Sequence, residues 1–323
     1  MTTEKTLPPE IAAPLAPFAG AEPPAPDWFK AAIAVEPERF FVPCQGADIE
    51  CLAWGERGKP GIIFVHGASA HADWWSFIAP FFAQDYRVAA LSLSGMGGSG
   101  WRETYAFEVF ADEVDACARA AGLYDSDALP IYIGHSFGGA VVYVCALAHP
   151  ERMAGTIIVD TGFGRPPPKE SAADAARSDV PRVTMGRVYP TLEAALARFR
   201  FLPPQVPGNL YITDFIARRS LKRAPMPDGS GQGWTWRFDP DLFPHLDRSS
   251  LAGLIGRKPG PTFHIHGDRS AVMKHAGGRP SVLDPSVKNI AIPDSAHHIM
   301  VDQPLALVAA IRATLAHWPN TPL

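Results

Sequence analysis

Residues Ile131–Gly139 read I-Y-I-G-H-S-F-G-G, and they leave the chain around them one local path. A short run of β-formers stops at Gly134, and a helix-compatible stretch starts at Phe137. Between them stands Ser136, with a glycine two residues before it and another two after. A turn straight from strand into helix leaves no room for side chains at those flanking positions, and Gly134 and Gly138 have none. The G-x-S-x-G pattern therefore predicts a strained serine, its hydroxyl in the open, at the start of a helix whose first N–H groups lack acceptors.

The flanking sequence supplies the rest of a layered α/β fold. Phe40–Val42 and Ile49–Trp54 read as a hairpin around Gly46, and Gly61–His66 as a buried parallel strand. Trp74–Phe82 reads as helix, Arg87–Leu93 as strand, Phe107–Ala121 as helix, and Thr156–Asp160 as strand. The rhythm breaks at Gly162 and resumes at Pro261–His266, followed by a strand at Lys288–Ile292 and a last helix from Pro304 to Trp318. Strands alternating with helices predict a mostly parallel sheet covered on both faces. The expected division is a Pro/Ala-rich arm over 1–38, a core over 39–161 and 251–323, and a cap inserted at 162–250. Helical pieces are expected in the cap at Leu192–Phe201 and Leu210–Lys222, with a glycine-rich loop at Gly229–Gly233.

Apolar residues make up 47% of the 323 positions and charged residues 19%, enough for a sizeable core. A net charge of −4 without a basic face speaks against nucleic-acid binding. No apolar run is long enough for a membrane span, and M-T-T-E-K-T-L-P-P-E lacks the apolar region of a signal peptide. Cys44, Cys51, Cys117 and Cys145 have neither zinc-site nor disulfide spacing, so they read as free thiols of a cytoplasmic protein.

A serine hydroxyl attacks only when a base takes its proton, and the base needs a carboxylate to hold its tautomer. Asp268, in H-I-H-G-D-R-S just past a strand, is chosen for the acid, because functional groups gather at the carboxyl ends of parallel strands. Gly-Asp is also a common turn. Asp160, which ends another strand, is the rival. His297 and His298 are adjacent candidates for the base. The N–H of Phe137 and that of Ala68, in the H-G-A-S-A-H loop, are the expected oxyanion donors, with His66 bracing that loop.

The H-G at His66–Gly67, the elbow G-H-S-F-G-G, the G-D at Gly267–Asp268 and H-x4-D-x-P from His297 to Pro304 together resemble the α/β-hydrolase superfamily, in its serine-nucleophile branch. The resemblance covers about residues 40–160 and 255–318. It implies an eight-stranded sheet with a helical cap after strand six, and it aligns His297 with the catalytic histidine, leaving His298 to the pocket. Some hydrolases of this architecture take their acid from the position of Asp160. One departure stands out: many members carry D-x-R-G-x-G-x-S where this chain has S-L-S-G-M-G-G-S, with Ser92 and Ser94 replacing the charged pair.

The reading that follows is a serine hydrolase that cleaves a carboxylic ester of a small-molecule substrate through an acyl-enzyme. The same triad could serve lactones, thioesters, amides or carbon–carbon bonds beside a ketone, and a non-catalytic ligand-binding member of the fold is the alternative from another class. Ser69, Trp234, Trp236 and His298 are candidate pocket residues. Arg182, Arg187, Arg198, Arg200, Arg218, Arg219, Arg223 and Arg237 could bind a carboxylate or simply face solvent. His264 and His266 could suggest a metal pair, but no matching ligands stand near them in sequence. Neither a metal nor an organic cofactor is expected, nor a nucleic-acid or membrane partner.

Overall fold

In a computed structural model, residues 7–162, 186–249, 257, 259–275 and 287–318 are described. Eight strands form one sheet: β1 (Glu38–Cys44), β2 (Ala47–Trp54), β3 (Gly61–Val65), β4 (Arg87–Leu91), β5 (Ile131–His135), β6 (Gly155–Val159), β7 (Thr262–Gly267) and β8 (Lys288–Ile292). Their order is β1-β2-β4-β3-β5-β6-β7-β8. β1 and β2 pair antiparallel, β2 meets β4 antiparallel, and every pairing from β4 to β8 is parallel. β3, β4, β5 and β6 are buried at every residue, which is why they read as unbroken apolar runs instead of alternating ones.

Helix α1 (Phe107–Ala120) buries Phe107, Phe110, Ala111, Val114, Cys117 and Ala118, an i, i+3, i+4, i+7 stripe against the sheet. Helix α2 (Phe137–Ala148) is buried from Gly138 to Ala146, so it is apolar all round. Both pack on one core cluster with Ile63, Val65, Ala89 and Leu91. Helix α3 (Pro304–Ala316) starts on a proline, whose missing N–H costs nothing in a first turn. The expected helix over Trp74–Phe82 is instead two short 3₁₀ turns, Ala72–Trp75 and Ala79–Phe81, broken at Ser76–Ile78. Pro80 has no N–H to donate to the Ser76 carbonyl, so an α-helix cannot run through this stretch unbroken.

The chain divides into two compact units, Met1–Pro23 with Gly164–Trp236, and Pro24–Phe163 with Arg237–Leu323. The first of these units overlaps the expected cap, 162–250, over residues 164–236. The chain returns to the core at Gly97, whose N–H donates to the Arg237 carbonyl over 2.8 Å, and the Tyr105 hydroxyl donates to Asp239 over 2.6 Å. The arm divides too, because residues up to Pro23 group with the insertion. Within that unit Arg218 pairs with Asp214 and donates to the Gly20 carbonyl over 2.7 Å.

The insertion is not purely helical. Its described helices are Leu192–Leu196 and Leu210–Arg219, and Leu221–Pro225 pairs antiparallel with Gln232–Trp236. The expected helices to Phe201 and Lys222 therefore end early, and the expected glycine-rich loop Gly229–Gly233 lies at the bend of a hairpin only as far as Gly231, with Gln232 and Gly233 already in its second strand. Arg187, Arg219 and Arg223 lie over the rings of Tyr189, Phe215 and Trp234. Arg182 lies outside the described residues. Trp236 is buried beside Tyr189 and Phe199, so it packs the insertion's own core.

Candidate active site

The turn from β5 into α2 has the tightness its glycines imply. Ser136 sits at φ 52°, ψ −114°, a strained backbone for a residue with a Cβ. A Cβ on Gly134 would run into the Gly138 carbonyl, and one on Gly138 would run into the carbonyls of Val65 and His66. A Cβ on Gly139 would overlap the Thr161 hydroxyl, which donates to the Ser136 carbonyl over 2.9 Å. The Ser136 N–H reaches the Val159 carbonyl at 2.9 Å. The elbow is thereby pinned to the strand beside it.

His297, in the loop between β8 and α3, reaches Ser136 Oγ through Nε2 at 2.9 Å. Its Nδ1 lies 2.7 Å from Asp160 Oδ1. A carboxylate only accepts, so the imidazole proton sits on Nδ1 and the Nε2 lone pair faces the serine hydroxyl. His297 and Asp160 are both buried.

The acid chosen from sequence is therefore corrected. Asp160, one residue past β6, faces His297, whereas the exposed Asp268 accepts the Ser295 N–H over 3.1 Å. That backbone hydrogen bond holds the Asp268 carboxyl below its usual range. The G-D-R-S segment still serves the site through its neighbours. The Gly267 N–H donates to Asp160 Oδ2 over 2.8 Å, and the Ser270 hydroxyl donates to Oδ1 over 2.6 Å. Burial raises the Asp160 carboxyl, but the His297, Ser270 and Gly267 donors outweigh it and leave it below its ordinary value. Asp160 itself adopts φ 47°, a conformation that aims its side chain back across the strand ends.

The loop after β3 comes close to the serine. A Cβ on Gly67 would lie 3.4 Å from Ser136 Cβ, so Gly67 lets the backbone pass. Ala70 donates to the Gly67 carbonyl over 3.3 Å and Ser69 adopts φ 55°, which folds the loop tightly. His66 Nδ1 meets the Gly67 carbonyl at 2.7 Å while Nε2 accepts the Leu93 N–H over 3.0 Å. Burial pushes the His66 imidazole down to about 3, so it stays neutral and keeps both roles. Phe137 is the first residue of α2, and its N–H has no acceptor within the helix.

The imidazole of His135 holds the base from behind, with Nε2 3.0 Å from the His297 carbonyl, and burial lowers it to about 3. His298 is buried between His297, His135 and Trp74, and burial keeps it well below its normal value. Among the described residues no cluster of three or more His, Cys, Asp or Glu could hold a metal ion. His264 and His266 stack on each other, and His264 Nδ1 meets Asn289 at 3.0 Å. No described helix is long and apolar enough to cross a membrane.

Residues 62–311 match the sequence model of the Alpha/beta hydrolase family. The chain belongs to that family. The mostly parallel eight-stranded sheet with its helices accords with that family, and hydrolase activity with its relatives. The chain is 25% identical over 260 residues to a pimeloyl-[acyl-carrier protein] methyl ester esterase of Edwardsiella ictaluri (strain 93-146), covering 79% of this chain and 92% of that one. It is 29% identical over 118 residues to epoxide hydrolase 4 of Homo sapiens, covering 36% of this chain but only 32% of that protein. Among solved structures it resembles E-2-(acetamidomethylene)succinate hydrolase with a TM-score of 0.69 at 18% identity, over 87% of this chain and all of the other, a likeness of fold.

Proposed function

We propose that the protein is a serine hydrolase that cleaves carboxylic esters through an acyl-enzyme, with Ser136 as nucleophile, His297 as base and Asp160 as its acid. The observation that carries this reading is the unbroken hydrogen-bond chain from Ser136 Oγ through His297 to Asp160. His297 Nε2 takes the hydroxyl proton as Ser136 Oγ attacks the ester carbonyl. The carbonyl oxygen becomes an oxyanion, held by the N–H groups of Ala68 and Phe137. The tetrahedral adduct collapses, the C–O bond to the alcohol breaks, and His297 returns its proton to the leaving oxygen. Water, deprotonated by His297, then releases the acid and frees Ser136. Asp160 stays ionised throughout and stabilises the imidazolium.

One further fact supports an ester: a relative spanned over 92% of its length is a methyl ester esterase. Ser69, in the loop whose Gly67 approaches Ser136, and His298, packed against His297, are proposed to face the substrate. The test is turnover of p-nitrophenyl esters of increasing acyl length, with a fluorophosphonate probe located by mass spectrometry. Ser136→Ala is expected to remove both label and turnover, a fall of about 10⁴-fold or more. Wild type and variant equally inert toward esters and lactones, with no label at Ser136, would sink the reading.

A further inference from the structure

The segment after β4 is where this chain departs from the charged pattern common in its superfamily, and it holds the loop after β3 from both ends. The Leu93 N–H binds His66 at the loop's start. At its far end the Ala72 N–H donates to Ser92 Oγ over 3.0 Å. Ser92 Oγ can accept that bond because its own proton is committed elsewhere, to Glu50 Oε2 at 2.7 Å. A carboxylate cannot donate, so Glu50 fixes the direction of the whole relay.

Glu50, on β2, is held in turn. It is 3% exposed, takes the Gly98 N–H at 2.9 Å and pairs with Arg39 of β1. Arg39 also reaches Asp73, the residue after Ala72, at 2.9 Å. Ser99, the last residue of S-L-S-G-M-G-G-S, closes the network: its hydroxyl accepts the Glu50 N–H over 2.8 Å and donates to the Ser92 carbonyl. A carboxylate separated from the serine's strand by both β4 and β3 thus reaches the backbone of the loop that passes over that serine.

We infer that Glu50 and Ser92 are positioning residues for oxyanion stabilisation, setting where the Ala68 N–H points by fixing the loop at Ala72. The inference rests on the reading of Ser136 and Ala68 given above. The loop from Gly67 to Ala72 is short and tightly turned, so a shift at Ala72 carries to Ala68. A donor displaced by about 1 Å can cost on the order of 10²-fold in rate, because it must meet the oxygen of the transition state and not that of the substrate.

The experiment compares wild type, Ser92→Ala and Glu50→Gln in kcat, KM and inhibition by a trifluoromethyl ketone, which forms a tetrahedral adduct on the serine. Thermal unfolding checks that each variant is folded. Ser92→Ala is expected to lower kcat about 10- to 100-fold with KM within about 3-fold, and to weaken the ketone by a similar factor. Glu50→Gln keeps an acceptor oxygen for Ser92 but loses the charge that Arg39 anchors, so it is expected to fall between the two. Folded variants with wild-type kcat and ketone affinity overturn the inference, as does a loss confined to KM. If Ser92→Ala does not fold, Glu50→Gln decides by the same two readouts. A wild type that neither turns over esters nor binds the ketone overturns the underlying reading of Ser136, an outcome distinct from an active wild type with unaffected variants.

Discussion

Two aspartates compete for one histidine at the residue scale, and geometry separates them. Asp160 has His297, Ser270 and Gly267 as donors, and Asp268 has a backbone N–H of Ser295. Asp160→Asn is expected to cut kcat by about 10⁴-fold, since an amide can donate to Nδ1 and trap the wrong tautomer. Asp268→Asn should leave kcat within about 3-fold. Steady-state kinetics on a common ester checks both, and a reversed ranking would return the acid to Asp268. Ser136 and His297 were legible because glycine spacing and the H-x4-D-x-P pattern are local. The acid was not, because β6 and β7 both end in a carboxylate near the same edge. What separates them is the left-handed backbone of Asp160, a tertiary property with no signature in neighbouring residues. Ser270 was missed for the same reason: its part is to hold another side chain.

The elbow is a backbone device at the scale of elements, and its glycines are fixed by packing. A methyl on Gly138 would press on carbonyls of β3's end, and backbone cannot yield as a side chain tip can. Gly138→Ala is expected to cost about 2–4 kcal/mol or to prevent folding. Gly229→Ala, with φ 76° but open space around it, should cost only about 1 kcal/mol from the left-handed backbone. Chemical denaturation of both variants tests this, and equal losses would show that packing at the elbow is loose. The main sheet was legible because its central strands are buried on both faces and keep one continuous apolar pattern. The insertion was not: Leu221–Pro225 follows the helix Leu210–Arg219 without an apolar break, so its change of period is hidden. The two 3₁₀ turns before β4 carry helix-like apolar spacing, and only Pro80 marks the interruption.

At the scale of the whole molecule, among the described residues, burial lowers the imidazoles of His66, His135, His264 and His298 and keeps them neutral. Burial lowers His66 and His135 to about 3, His264 to about 4, and His298 well below its ordinary value. In the unfolded chain each titrates near 6.5. Below that pH the unfolded state binds protons the folded state refuses, so stability falls as pH drops from about 6.5 toward 4. Asp160 adds nothing to the loss in that window, because its lowered carboxyl gives up its contribution only under about pH 3.9. The unfolding temperature is expected to drop by roughly 10 °C or more between pH 7.5 and 5. Calorimetry across that range checks it, and a flat profile to pH 5 would mean the imidazoles are reached by water.

The tie between Gly20 and Arg218 spans 198 positions of chain. A ribosome adding about 5–20 residues each second needs roughly 10–40 s to cover that distance. The stretch up to Pro23 therefore leaves the exit tunnel long before the helix it binds has been made. During that interval the Gly20 carbonyl lacks the Arg218 donor that holds it in the finished fold. The segment around Gly20 is therefore secured only after a helix made 198 positions later.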